Sequence, residues 1–133
     1  KIENFFPNLA TIEFFNTGIS EIHKEDLQPF GEKLIYFAIM NGTVEIIEKD
    51  LFIHNPNLEC INFIDNHIKS IHGNVFDHLQ HLNHLWMSSN DCVNKNAING
   101  TDLAELVMEV KGKCHQNYVQ HLKNKIHELL ELM

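Results

Sequence analysis

The sequence predicts an α/β solenoid, a short parallel sheet of about four stacked units closed by helix at its C-terminal end. Three observations predict it. Apolar residues recur in one pattern at steps of 24 to 25 residues, as stacked structural units require. Within each unit, apolar and polar residues alternate for a few positions, the period of a half-buried strand. Beyond residue 92 the apolar spacing changes to three and four, the period of an amphipathic helix.

The clearest unit carries Leu58, Ile61, Phe63, Asn66, Ile68, Ile71, Phe76 and Leu79, which is L-x-x-L-x-L-x-x-N-x-L-x-x-L with two further apolar positions. One step back, the same slots hold Leu34, Phe37, Ile39, Gly42, Val44, Ile47 and Phe52. A second step back gives Leu9, Ile12, Phe14, Thr17, Ile19, Ile22, Leu27 and Phe30. One step forward gives Leu82, Leu85, Met87, Asn90 and Cys92. One unit alone leaves its apolar face in water, so the units must stack.

This pattern resembles the leucine-rich repeat family over roughly Phe6 to Cys92. The resemblance implies a solenoid with parallel strands and assigns Asn66 and Asn90 a structural role. An inward amide at that slot bonds backbone groups of the turns that water does not reach. Thr17 can do part of this work. Gly42 cannot, and Asn41 beside it suggests a bulge in that unit. Before Leu9, the stretch KIENFFPNL reads as the end of a further unit, with Phe5 or Phe6 in the core and Pro7 ahead of Leu9.

At the other end, Leu103, Leu106, Val107 and Val110 form a one-sided stripe. Thr101 is placed to cap that helix and Asp102 lies in its first turn. Gly112 is read as its stop. Cys92 and Cys114 flank the segment. It resembles a shortened form of the cysteine-containing cap of extracellular leucine-rich repeat proteins, here with two cysteines instead of four. That resemblance implies a Cys92–Cys114 disulfide. The expected organisation is repeats over 1–91, a disulfide-closed cap over 92–114 and an amphipathic helix over 115–133.

Composition limits the function classes. With 44% hydrophobic and 21% charged residues the chain is globular. A net charge of −8 argues against nucleic acid and anionic membrane as partners. No apolar run is long enough to span a bilayer. The first residue is Lys1 rather than Met, which fits either a processed secreted chain or a trimmed one. Sequons at Asn41-Gly42-Thr43 and Asn99-Gly100-Thr101 mark Asn41 and Asn99 as candidate glycosylation sites. With the cap cysteines they favour a secreted, extracellular protein, similar in texture to small arthropod members of the family.

No catalytic motif is present, and no enzyme activity is expected: there is no G-x-S-x-G, H-E-x-x-H, phosphate loop or C-x-x-C. No cofactor or metal is expected. His54 and His78 share a slot in consecutive units and should lie near each other, but two ligands fall short of a metal site.

Two surfaces remain. The strand positions that do not face the core are Thr11, Glu13, Phe15; Tyr36, Ala38, Met40; Cys60, Asn62, Ile64; and His84, Trp86, Ser88. They give a Phe15–Met40–Ile64 stripe with Tyr36, Trp86 and His84 beside it, a composition typical of interaction surfaces. The resemblance makes this the concave face. Cys60 falls in this set and reads as a free, outward thiol, with an intermolecular disulfide as the alternative. The second surface is the tail, where Val119, Leu122, Ile126, Leu129 and Met133 follow heptad spacing. It either folds back as an extra cap or pairs with a second copy. The expected function is non-enzymatic recognition of a protein partner in innate immunity or extracellular signalling. The alternative is a scaffold that self-associates, as a homodimer, through the tail helix and Cys60.

Overall fold

The computed structural model describes residues 10–133, so the expectations for Phe5, Phe6, Pro7 and Leu9 lie outside the described residues. Five strands form one sheet in the order β1-β2-β4-β6-β7: β1 Thr11–Phe15, β2 Tyr36–Met40, β4 Cys60–Asn62, β6 His84–Trp86 and β7 Asn96–Ala97. The first four are mutually parallel. Thr11 pairs with Tyr36, Tyr36 with Cys60, and Cys60 with His84, steps of 25, 24 and 24 residues. These are the steps of the apolar pattern, because only that register turns every inward residue to the same side. A second parallel pair, β3 Ile46–Ile47 and β5 Ser70–Ile71, lies on the return path of the chain.

The core fills the space between the two sheets. Phe37, Ile39, Ile61, Phe63, Leu85 and Met87 point inward from the large sheet, and Val44, Ile47, Ile68 and Ile71 face them, all fully buried. Phe37 and Phe63 meet edge to face at 6.0 Å, and Phe52 stacks on Phe76 at 6.2 Å. Such ring pairs add about 0.5–1.5 kcal/mol each beyond their burial.

The amide ladder works as the family resemblance implies. Asn66 Nδ2 donates to Ile39 O at 2.8 Å and to Phe63 O at 2.9 Å, while its Oδ1 accepts from Val44 N at 3.4 Å. Asn90 repeats this one unit on, donating to Phe63 O and Met87 O and accepting from Ile68 N. Each amide therefore ties its own turn to the preceding one. The expected bulge at Asn41 does not occur. A Cβ on Gly42 would sit 2.7 Å from Asn66 Oδ1 and 3.1 Å from Ile19 O, so Gly42 leaves room for the amide of the next unit. Thr17 is exposed and takes no part in the ladder among the described residues.

The C-terminal part departs from the expectations in three ways. The two-residue strand β7 runs antiparallel to β6, so the sheet is not wholly parallel. Asn96 Oδ1 accepts from Met87 N and Ser88 N, and the pair closes an edge otherwise open to intermolecular pairing. After the one-turn helix α1, Lys24–Leu27, the next helix, α2, Gly100–Glu109, is capped by Asn99, whose Oδ1 accepts from Asp102 N at 2.9 Å. Thr101 is therefore inside the helix rather than its cap. Gly112 does not stop it. The chain passes through a π-helical turn, Val110–Cys114, into α3, His115–Glu131. A glycine inside a helix costs only about 1 kcal/mol relative to alanine, and the buried Val110 and Cys114 anchor this turn. Cys92 and Cys114 have Cα atoms 5.3 Å apart and sulfurs 2.15 Å apart, a geometry compatible with a disulfide.

Candidate functional site

The outward side of the large sheet carries three rows set by strand register. The first is Tyr36, Cys60, His84; the second Ala38, Asn62, Trp86; the third Phe15 and Met40, continued by Ile64. Ile64 joins the third row because Asn41 N donates to Ile64 O at 3.1 Å. Alternation along each strand sends these side chains away from the core.

The rows differ in height. Ala38 and Asn62 are buried beneath their neighbours, while Tyr36, Met40, Ile64, His84 and Trp86 are half-buried. Phe15 is 65% exposed. The centre of the face is thus a low floor between taller side chains, and Trp86 stands at the end of that floor rather than next to Tyr36. Its ring meets His84 edge to face at 6.1 Å. Asn62 fixes the floor: its Oδ1 accepts from Ile64 N at 3.0 Å and its Nδ2 donates to Met40 Sδ at 3.2 Å. Burial first, then the nearby Glu13 and Cys60, raise the Tyr36 hydroxyl above the usual tyrosine range, while Asn62 opposes the shift. Tyr36 therefore offers a neutral donor beside an apolar surface.

Cys60 is half-buried in the first row, not the freely exposed thiol expected. Tyr36 and His84 flank it in the register, and burial pushes its thiol up, which suppresses the reactive thiolate. Both sequon asparagines are exposed. Asn41 Nδ2 reaches Asn16 Oδ1 at 3.1 Å, and Asn99 Nδ2 reaches Asp102 Oδ2 at 2.9 Å. His78 Nε2 donates to Phe52 O at 2.8 Å, a structural bond. Among the described residues no three histidine, cysteine or acidic side chains converge as a metal site.

Residues 33–91 match the family model described as Leucine rich repeat. The match runs from just before β2 to just after β6, the stretch that holds both ladder asparagines, and supports a leucine-rich repeat protein. No curated protein matches the chain. Leucine-rich repeat domains commonly mediate protein–protein interaction and are generally non-enzymatic.

The tail divides in two. The first turns of α3 pack on β5, with Tyr118 buried and Asn117 Nδ2 donating to Lys69 O at 2.8 Å. Beyond them the heptad side chains face solvent increasingly toward the end of the chain: Val119 is 37% exposed, Leu122 45%, Ile126 57%, Leu129 61% and Met133 98%. Only the first two turns fold back on the body as a cap would; the seam beyond them is exposed. No helix of the described residues is long and apolar enough to cross a membrane.

Proposed function

We propose that the chain is a secreted, non-enzymatic recognition module, a four-unit leucine-rich repeat solenoid that binds a protein partner on its outward sheet face. One observation carries this reading: Phe15, Met40 and Ile64 line up with Tyr36, His84 and Trp86 around the low floor of Ala38 and Asn62. Large, partly covered aromatic and Met side chains around a small-residue floor suit the anchor side chains of a partner. The absence of charge in these rows, apart from Glu13, points to an apolar contact with a polar rim. The Cys92–Cys114 pair and the exposed Asn41 and Asn99 sequons support an extracellular setting. Defence and extracellular signalling are the settings in which such modules work.

The test compares the whole chain with a Tyr36→Ala/Trp86→Ala variant as immobilised bait, using extracellular fluid of the source. Partners lost with the double variant, yet kept by a Glu45→Ala control on the return side, support the reading. Identical captures by all three baits defeat it.

The exposed Leu122–Met133 seam favours a second reading, self-association through α3. Light scattering over a range of concentrations, with and without reductant, tests it. A monomer throughout removes it; a dimer that survives reductant and is lost in Leu122→Asp/Leu129→Asp supports it. The half-buried Cys60 makes a covalent contact the weaker form of this reading.

A further inference from the structure

Helix α3 is docked through Asn117 and Tyr118 and through two histidines that both serve as hydrogen-bond acceptors, His115 across the contact and His72 inside its own turn. His115, its first residue, accepts from Gly73 N at Nδ1, 2.9 Å away. His72, which follows β5, accepts from Asn74 N at Nδ1, 3.2 Å away. The two rings meet edge-on with centroids 5.0 Å apart. Tyr118, one turn along α3, presents its ring to His72 at 5.2 Å and lies parallel to His115 at 6.5 Å. Its hydroxyl accepts from Lys49 N at 3.4 Å. Gly73 is buried, and a Cβ there would be 3.1 Å from His115 Cγ, so the imidazole lies directly against backbone.

An imidazole that accepts a backbone N–H at Nδ1 carries its single proton on Nε2. A second proton has to enter at Nδ1, where it faces another N–H and removes the bond. At Gly73 and Asn74 the same event breaks both contacts. It also sets two cations edge to edge at the root of α3.

We infer that His72 and His115 form an acid-opened latch, which holds α3 against β5 at neutral pH and releases it in mild acid. The other charged groups around the latch are few. Lys49 and Asp50 face His72 from the turn after β3, and Asp77 faces it from the turn after β5. Asp77 is itself held by Lys111 of the π turn at 3.0 Å. Burial lowers the His72 pKa, with His115 and Lys49 adding to the effect, while Asp50 and Asp77 oppose it. The undocked imidazole therefore takes up protons more readily than the docked one. Docking is at full strength above the ordinary histidine value of 6.5 and is lost as pH falls toward the lower docked-state value.

The Cys92–Cys114 pair lies immediately before the latch, so opening swings α3 on a fixed base rather than detaching it. The swing uncovers Tyr118 and Val119 and lengthens the exposed apolar seam toward the body. Acid thus enlarges the surface that α3 offers to a second chain.

Hydrogen exchange of the whole, oxidised chain at pH 7.5 and pH 5.0, corrected for intrinsic exchange rates, tests the latch. We expect at least a ten-fold loss of protection at pH 5.0 for Gly73, Asn74 and the first two turns of α3, with β2 and β4 unchanged. His72→Asn/His115→Asn keeps an acceptor at the Nδ1 position without a titrating group, and should stay docked at both pH values. Equal protection of the wild type at both pH values overturns the latch. So does an equal acid response in the double variant. NMR of the wild type gives a readout that needs no variant: the Gly73 amide, bonded to His115 Nδ1, should shift between pH 7.5 and pH 5.0, and a Gly73 amide that does not move also overturns the proposal.

Discussion

Asn66→Ala should destabilise the protein by far more than a surface substitution, and the structure sets the size. The side chain satisfies Ile39 O at 2.8 Å, Phe63 O at 2.9 Å and Val44 N at 3.4 Å, and it is 2% exposed. Phe63 O keeps a second donor, Asn90 Nδ2, when Asn66 is removed. Ile39 O and Val44 N lose this partner. Ile39 lies one residue past the last paired position of β2 and β4, where the strand ladder no longer supplies donors. Two buried backbone groups left unpaired cost about 1–3 kcal/mol each, so the loss should be about 2–6 kcal/mol. A domain of this size has about 5–15 kcal/mol in total. With a urea slope of about 1–3 kcal/mol per M, the unfolding midpoint should fall by roughly 1–3 M at constant slope. Asn90→Ala is the internal control. It makes the same bonds, but Asn90 is half-buried, so water replaces part of what is lost. A smaller loss for Asn66→Ala than for Asn90→Ala would refute the ladder argument, and so would a loss below about 0.5 kcal/mol, which is the surface range.

Four further outcomes follow from the same geometry. Gly42→Ala should destabilise through the close approach to Asn66 Oδ1, and Gly42→Ala/Asn66→Ala should lose less than the sum of the two single variants, a coupling read by a double-mutant cycle in urea. Cys92→Ser should lower stability by about 3 kcal/mol, the loop-closure value for a bridge of this span, and non-reducing mass analysis should show the bridge in the parent chain. Glu48, the main cause of the raised His23 pKa, bonds His23 Nδ1 at 3.0 Å. The stabilisation this pair gives is therefore present in acid and lost as pH rises through the folded His23 value; Glu48→Gln should lower the His23 midpoint in an NMR titration, whereas an unchanged midpoint rejects the pairing. Once a partner is in hand, Trp86→Ala should weaken binding by at least ten-fold in a calorimetric titration while leaving the urea midpoint within experimental scatter.

The parts of the fold legible in the sequence are those that the repeat writes several times over. The strand register is one, because a slip of one residue would expose Phe37, Ile61 and Leu85 together. The role of Asn66 is another, because the repeat carries the family resemblance that implies it. The C-terminal region was less legible because it occurs once. Asn99 and Thr101 are both good caps by type, and only the observed bond to Asp102 N separates them. Gly112 reads as a stop in isolation; the packing of Val110 and Cys114 overrides it. The two residues of β7 are too few to show a period. On the outward face, the sequence marks Phe15, Met40 and Trp86 as facing out, but the burial of Ala38 and Asn62 depends on neighbours from adjacent strands. The pairing of His72 with His115 across 43 positions leaves no local signal at all.

The end of each strand shows how the two sides of the sheet come to differ. Asn16, Asn41, Asp65 and Ser89 occupy one register position, and all four are left-handed, with φ of 56°, 50°, 59° and 59°. Short polar side chains tolerate that conformation better than branched or bulky ones, which explains their type without any binding role. The left-handed residue turns the chain inward immediately before the slot of Gly42, Asn66 and Asn90. The amides therefore go to the interior, where the broken ladder leaves backbone groups without partners. Backbone demands at these turns are thus met from inside and from the rim. Apart from Asn62, whose Oδ1 accepts from Ile64 N, the outward rows are released from that duty, and Phe15, Met40, Ile64 and Trp86 can be apolar or aromatic without any cost to the turns. Replacing the rim residue Asp65 with Asn should then be nearly neutral, whereas Asp65→Val should destabilise by about 1 kcal/mol or more, since a β-branched residue pays heavily for positive φ. Equal stability of these two variants in urea would show that the turn does not constrain residue type, and the division between rim, interior and face would lose its physical basis.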